Sequence, residues 1–218
     1  MQRLINGIVK FQSEVFPRDK HIYQQLADGQ QPHTLFIGCS DSRIVPNDML
    51  QAGPGELFIL RNAGNIVPPH GESLGGVSAT VDYAIHFLKV KHIVVCGHSD
   101  CGAMRALMHP EKVKNHRSVY QWLQHAERVA AVTTAVHGDV NTPEYLSRLI
   151  DENVIAQIDN LMTYPSVAAN VRSGAVSLHG LVFSIATGEF TMLDRASYEF
   201  KPLSAVANIE MEQLVQNY

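Results

Sequence analysis

Residues 92–102 read HIVVCGHSDCG: an apolar, β-branched run stops at Gly97 and gives way at once to an imidazole, a hydroxyl, a carboxylate and a thiol. A short continuous apolar run that ends in a polar cluster is the mark of a strand buried on both faces. Residues 34–43, TLFIGCSDSR, show the same pattern, with Thr34 to Gly38 as the strand and Cys39, Ser40, Asp41, Ser42 and Arg43 as the cluster. A third strand, ELFIL at 56–60, runs into the loop Arg61-Asn62-Ala63-Gly64-Asn65 and the turn at Pro68-Pro69. From Ser73 to Leu88 the residues Val77, Val81, Ala84, Ile85 and Leu88 draw one helical face. Helices are expected over Ser118–Val136 and Pro143–Leu161. Val176–Ile185 and Phe190–Leu193 flank the turn Thr187-Gly188 and form a closing strand pair.

Strands alternating with helices imply right-handed crossovers and parallel pairing. The expected fold is therefore α/β: a mostly parallel sheet of order 2-1-3-4-5, its last strand antiparallel, flanked by helices. In such sheets ligands gather beyond the carboxyl ends of the strands, where strand order reverses. That order sets the first and third strands side by side and brings the two polar clusters together.

The rest of the chain fits one domain over 1–218. Its 218 residues are 45% hydrophobic and 17% charged, enough to bury a core. A net charge of -4 leaves no basic surplus for a phosphate backbone, so nucleic acid is not an expected partner. Met1 to Phe11 lacks a secretory h-region, and no run approaches the ~18 apolar residues of a membrane span. A cytoplasmic location without membrane contact is expected. Leu4, Ile8, Phe11 and Val15 form an apolar stripe on a helix that Pro17 should end, which marks residues 1–30 as a helical arm.

Three cysteines, Cys39, Cys96 and Cys101, are too few and too odd in number for a disulfide scaffold. Cys39 and Asp41 stand two apart on one loop, His98 and Cys101 three apart on the other. Two thiolates, an imidazole and an optional carboxylate suit Zn²⁺, and soft sulfur donors disfavour magnesium or calcium. Three firm ligands with an open position can do chemistry, whereas four close the site. Taken singly, each loop also fits packed thiols and a satisfied histidine, and spacing alone leaves both readings standing. Cys96, inside its strand, reads as a packed thiol.

Taken together and in order, CSDSR, RNAGN and HSDCG resemble the signature of the β-class carbonic anhydrases, over nearly the whole chain as far as Leu178-His179-Gly180. The likeness is to the bacterial, plant-like subclass and to enzymes that accompany cyanase. It implies a zinc lyase with one Zn²⁺ per subunit, held by Cys39, His98 and Cys101, and reversible hydration of CO2 to bicarbonate and a proton by zinc-bound hydroxide. Asp41 and Arg43 are implied as the dyad that orients the nucleophile, with Asp41 on zinc only in a closed state. Gln30, Phe58, Ala63, Tyr83 and Gly102 are implied to contact CO2. A homodimer or dimer of dimers is implied, embraced by the arm. In the subclass regulated by bicarbonate a Trp, an Arg and a Tyr hold the anion; here Arg61 matches, but Phe36 and Phe183 replace the other two and lack the donors. Asp100 reads equally as a group supporting the ligands or as a helix-start residue. The alternatives from other classes are a structural zinc or interaction module and a thiol redox enzyme using Cys39 and Cys101.

Overall fold

The strands are β1 (Thr34–Cys39), β2 (Leu57–Asn62), β3 (His92–His98), β4 (Ser177–Phe183), β5 (Phe190–Asp194) and β6 (Glu199–Pro202). In this computed structural model, which describes residues 1–73, 75–138, 142 and 144–203, they form one sheet in the order β2-β1-β3-β4-β5-β6. β1 pairs in parallel with β2 and β3, and β3 with β4; β5 and β6 are antiparallel additions. The expected order and the antiparallel fifth strand are both observed. β6 extends the sheet by one strand that four residues, EFKP, did not announce.

The helices are α1 (Gln2–Lys10), α2 (Phe16–Leu26), α3 (Pro46–Leu50), α4 (Gly76–Tyr83), α5 (Gly102–Met108), α6 (Arg117–Gln124), α7 (Glu127–His137), α8 (Tyr145–Met162) and α9 (Pro165–Arg172). Pro17 does not end the first helix as expected. It sits in the first turn of α2, after a wider π turn over Phe11–Val15 that joins α1 to α2. A proline lacks the N–H and crowds the carbonyl four residues earlier, and a π turn relieves both without breaking the rod. The single helix expected over 118–136 is two, α6 and α7, parted at His125 and Ala126. Of the helix expected from Pro143, α8 begins at Tyr145, and Pro143 itself lies outside the described residues.

Every residue of β1 is buried, as a central parallel strand requires. Leu35, Ile37, Ile93 and Val95 pack with Val154, Ile158 and Leu161 of α8 in one apolar cluster. A second cluster joins Cys39, Ile66, Cys101 and Met104 to Leu123, Val129, Leu149 and Ile150. α8 serves both. It lies so close to the sheet that a Cβ on Gly97 or Gly180 would stand 2.9 Å from a Val154 methyl, so these two strand positions must be bare.

α8 also carries a buried polar ladder at helical spacing. Asn153 donates to the Gly64 carbonyl at 3.0 Å, Gln157 accepts from the Val67 N–H at 2.8 Å, and Asn160 donates to the Val67 carbonyl at 2.8 Å. Tyr164 continues it with a bond to the Pro68 carbonyl at 2.9 Å. An irregular segment can be buried only if its backbone groups find partners. The ladder supplies them and fixes the loop after β2 against the ends of β1 and β3.

Candidate metal centre

Cys39 is the last residue of β1 and His98 the last of β3, on neighbouring parallel strands; Cys101 caps the N-terminus of α5. Their ligand atoms all lie within 4.8 Å of one another. Sγ of Cys39 is 4.0 Å from Sγ of Cys101, close to the roughly 3.8 Å between two thiolates at tetrahedral angles on one Zn²⁺. His98 Nδ1 lies 2.9 Å from the Ser99 carbonyl oxygen, which can only accept, so Nδ1 carries the hydrogen and Nε2 the lone pair. That Nε2 is buried and has no hydrogen-bond partner among the described residues. A buried acceptor left bare beside two thiols fits a metal-ligating imidazole and little else.

The electrostatics favour a cation in their midst. Cys39 is drawn below the usual thiol range by the Cys101 thiol, against the opposing effect of burial, with help from His98 and the Gly64 N–H. Cys101 is pushed up by its bond to Cys39 and by burial, because two adjacent buried thiols resist double ionisation. For His98 burial works toward the neutral ring, but Cys39, the Ser99 carbonyl and Asp41 outweigh it and raise the pKa. A divalent cation removes the conflict by pairing with both thiolates at once. Cys96, by contrast, has its thiol pushed up to about 12 by burial and stays an inert packed group.

Asp41 stands at the mouth of this set, its Oδ2 3.9 Å from His98 Nε2. Arg43 grips it with Nε on Oδ1 at 2.9 Å and Nη2 on Oδ2 at 2.7 Å, and the Arg43 backbone N–H adds a bond at 3.0 Å. That grip holds the carboxyl well below the usual range. Arg61 donates to the carbonyls of Cys39 at 2.9 Å and Asp41 at 2.7 Å, so its guanidinium braces the loop. None of this was legible from the string RNAGN.

The residues expected to contact CO2 are spread more widely. Gly102 follows Cys101 directly, and Ala63 precedes Gly64, whose N–H lies 3.4 Å from Cys39 Sγ. The Ala63 carbonyl takes the Trp122 indole N–H at 2.8 Å. Phe58 and Tyr83 are in ring contact, centroids 5.9 Å apart, and Tyr83 stacks on Phe87 at 5.0 Å. Tyr83 remains 44% exposed. Gln30 is exposed on the segment between α2 and β1, where no hydrogen bond of its side chain is formed among the described residues. A cavity of about 480 Å³ behind the Ser99–Asp100 turn is lined by Asp151, Val182, Phe183, Thr191 and Phe200 and includes none of the expected CO2 contacts. The supporting residues missed from sequence are Asn153, Gln157 and Asn160; polar groups recurring inside the apolar face of α8 were the available signal.

Comparison with known proteins agrees with this geometry. The family model described as carbonic anhydrase matches residues 34–190. A carbonic anhydrase of Pseudomonas aeruginosa is 46% identical over 204 residues, 94% of this chain and 92% of that protein. Carbonic anhydrase 1 of Escherichia coli is 46% identical over 206 residues, 94% and 93% of the two chains. Among solved structures, the β-carbonic anhydrase CcaA superposes with a TM-score of 0.90 at 38% identity, covering 93% of this chain and 98% of that one. A tetrameric β-carbonic anhydrase of Sordaria macrospora gives 0.74 at 31% identity over 88% and 95%.

Proposed function

The chain belongs to the β-class carbonic anhydrases, and from that premise we propose that Cys39, His98 and Cys101 hold one zinc ion per subunit for the reversible hydration of CO2 to bicarbonate and a proton. The observation that carries this assignment is the buried Nε2 of His98, without a hydrogen-bond partner among the described residues and facing two thiols in a chain of that family. When bound, zinc supplies a Lewis acid that lets water lose a proton near neutral pH.

The protein's own residues do the rest. Arg43 keeps Asp41 an acceptor-only carboxylate, held by both oxygens and directed at the mouth of the ligand set. There Asp41 accepts a hydrogen bond from the nucleophilic water and fixes its lone pair toward CO2. Phe58, Ala63, Tyr83 and Gly102 form the apolar surroundings of that small substrate, and the Gln30 amide donates to the developing bicarbonate oxygen. Because Arg61 is engaged with two backbone carbonyls, and Phe36 and Phe183 offer no side-chain donors, these three residues are not expected to hold an inhibitory bicarbonate, and Asp41 should stay off the metal.

The exposed ring of Tyr83 and the exposed position of Gln30 support a pocket completed by a second subunit, with residues 1–30 as the arm that holds it in a dimer or dimer of dimers. Among the described residues no helix is long and apolar enough to cross a membrane, and the location we propose is the cytoplasm. Family membership disfavours the structural zinc module and the thiol redox enzyme. The test is stopped-flow CO2 hydration on protein with measured zinc, before and after chelation: activity should vanish on stripping and return with zinc, and a stripped protein of unchanged rate overturns the proposal.

A further inference from the structure

Asp100 lies between two of the three ligands, in the turn from β3 into α5, with a left-handed backbone at φ 56°. Side-chain-bearing residues adopt that conformation at a cost, Asp more readily than most. What the chain gains there is a carboxylate facing Arg43. Arg43 Nη1 donates to Asp100 Oδ2 at 3.2 Å, and Nη2 to the Asp100 carbonyl at 3.2 Å. Arg105, in the first turns of α5, pairs with the other Asp100 oxygen, Oδ1. Four side chains of alternating charge thus run in series from the ligand set outward: Asp41, Arg43, Asp100, Arg105.

The tether matters because Asp41 and Arg43 share one loop. Gripping only each other, they form a unit that can swing as one body. Asp100 belongs to the opposite loop, 57 residues away in sequence. A guanidinium is planar and its donors are rigidly forked, so anchoring the Nη1 edge fixes the plane in which Nε and Nη2 meet Asp41. Arg105 balances the second carboxylate, which otherwise leaves a net negative charge beside Asp41. We propose that Asp100, backed by Arg105, is a positioning residue that clamps Arg43 to the His98–Cys101 loop and thereby sets where the Asp41 carboxylate stands relative to the three ligands. The inference rests on the Asp41–Arg43 reading given above. The side chains of Arg43, Asp100 and Arg105 are 42%, 53% and 59% exposed, so the clamp adds little to folding and acts on orientation.

The test uses Asp100→Gly, which accepts the left-handed backbone and deletes the carboxylate, and Asp100→Asn, which tolerates that backbone and keeps one acceptor oxygen. Each is prepared with zinc for kinetics and with cobalt(II) for its visible spectrum, beside Arg43→Ala. In Asp100→Gly the cobalt bands should move in the direction seen for Arg43→Ala, and kcat should fall roughly three- to tenfold with KM changed less than about twofold. Asp100→Asn should recover at least half of both effects, and melting temperatures should stay within about 4 °C. If Asp100→Gly keeps the parent spectrum and kcat while Arg43→Ala alters both, the clamp is refuted and the dyad stands. If Arg43→Ala alters neither, dyad and clamp fall together. Loss of metal from Asp100→Gly makes the residue structural and also refutes the clamp.

Discussion

Two apolar surfaces of this chain meet opposite ends. Around the carboxyl termini of β1 and β3 the candidate ligands are enclosed by residues of one chain: strands buried on both faces, loop carbonyls taken by Arg61 and Asn153, and two cysteines packed beside Met104 and Ile150. α1 carries an equally regular apolar stripe, yet none of its residues is buried, with Leu4 65% and Ile8 58% exposed. The site's first requirement, placing three ligands, is met by one chain. No described residue covers the arm's stripe, and in the assembly proposed above a second subunit does so. Substitutions in the two regions should therefore separate metal chemistry from assembly.

The largest effect is expected at the ligands. Cys101→Ser should lose zinc and drop CO2 hydration by at least about 1,000-fold, read from metal content and stopped-flow rates, while sedimentation shows the parent assembly. A variant that kept its zinc would break the contrast at its stronger end. In the arm, Leu4→Glu with Ile8→Glu should do the reverse. Removing two side chains worth roughly 1.5–3 kcal/mol each when buried should shift the protein to smaller species on dilution, with zinc per chain unchanged. An unaltered sedimentation profile would show that the stripe contributes nothing to assembly.

A third substitution probes how the closed region is held. Asn153→Leu leaves the Gly64 carbonyl and the Gln157 amide without their partner, and denaturant titration should report a loss of about 1–3 kcal/mol. The smallest effect concerns Asp151, whose carboxyl burial pushes up to about 6, with Glu152 adding to the rise and Arg148 opposing it. The unfolded chain releases this proton first, so stability falls between about pH 4 and pH 6 and then levels off. Asp151→Asn should match the parent near pH 4 and exceed it by roughly 1–2 kcal/mol at pH 7, allowing for partial exposure. Equal stability at both pH values would remove the strain assigned to this carboxylate.

Much of the architecture was legible because its signals are local. The change from apolar to polar at Gly38-Cys39 and Gly97-His98 marks both strand ends, and the crossover rule then makes the strands neighbours. Resemblance to a family supplied the ligand set that spacing alone left open. What stayed hidden depends on distant partners. The break between α6 and α7 has no Gly or Pro to mark it, and only the fold brings the Trp122 indole to the Ala63 carbonyl. Arg61 matched one position of a bicarbonate-holding set whose other two members are absent here, and only the fold shows its guanidinium on the carbonyls of Cys39 and Asp41. Sequence left Asp100 evenly placed between a group supporting the ligands and a helix-start residue, because its partner Arg43 sits on the other loop.

Zinc-edge X-ray absorption on the purified protein reaches the central assignment without passing through activity. Two sulfur scatterers at about 2.3 Å with nitrogen or oxygen completing the shell are expected, and Cys39→Ser, like Cys101→Ser, should lose that shell together with its zinc. A shell without sulfur, or one that the Cys39→Ser substitution leaves intact, would contradict it.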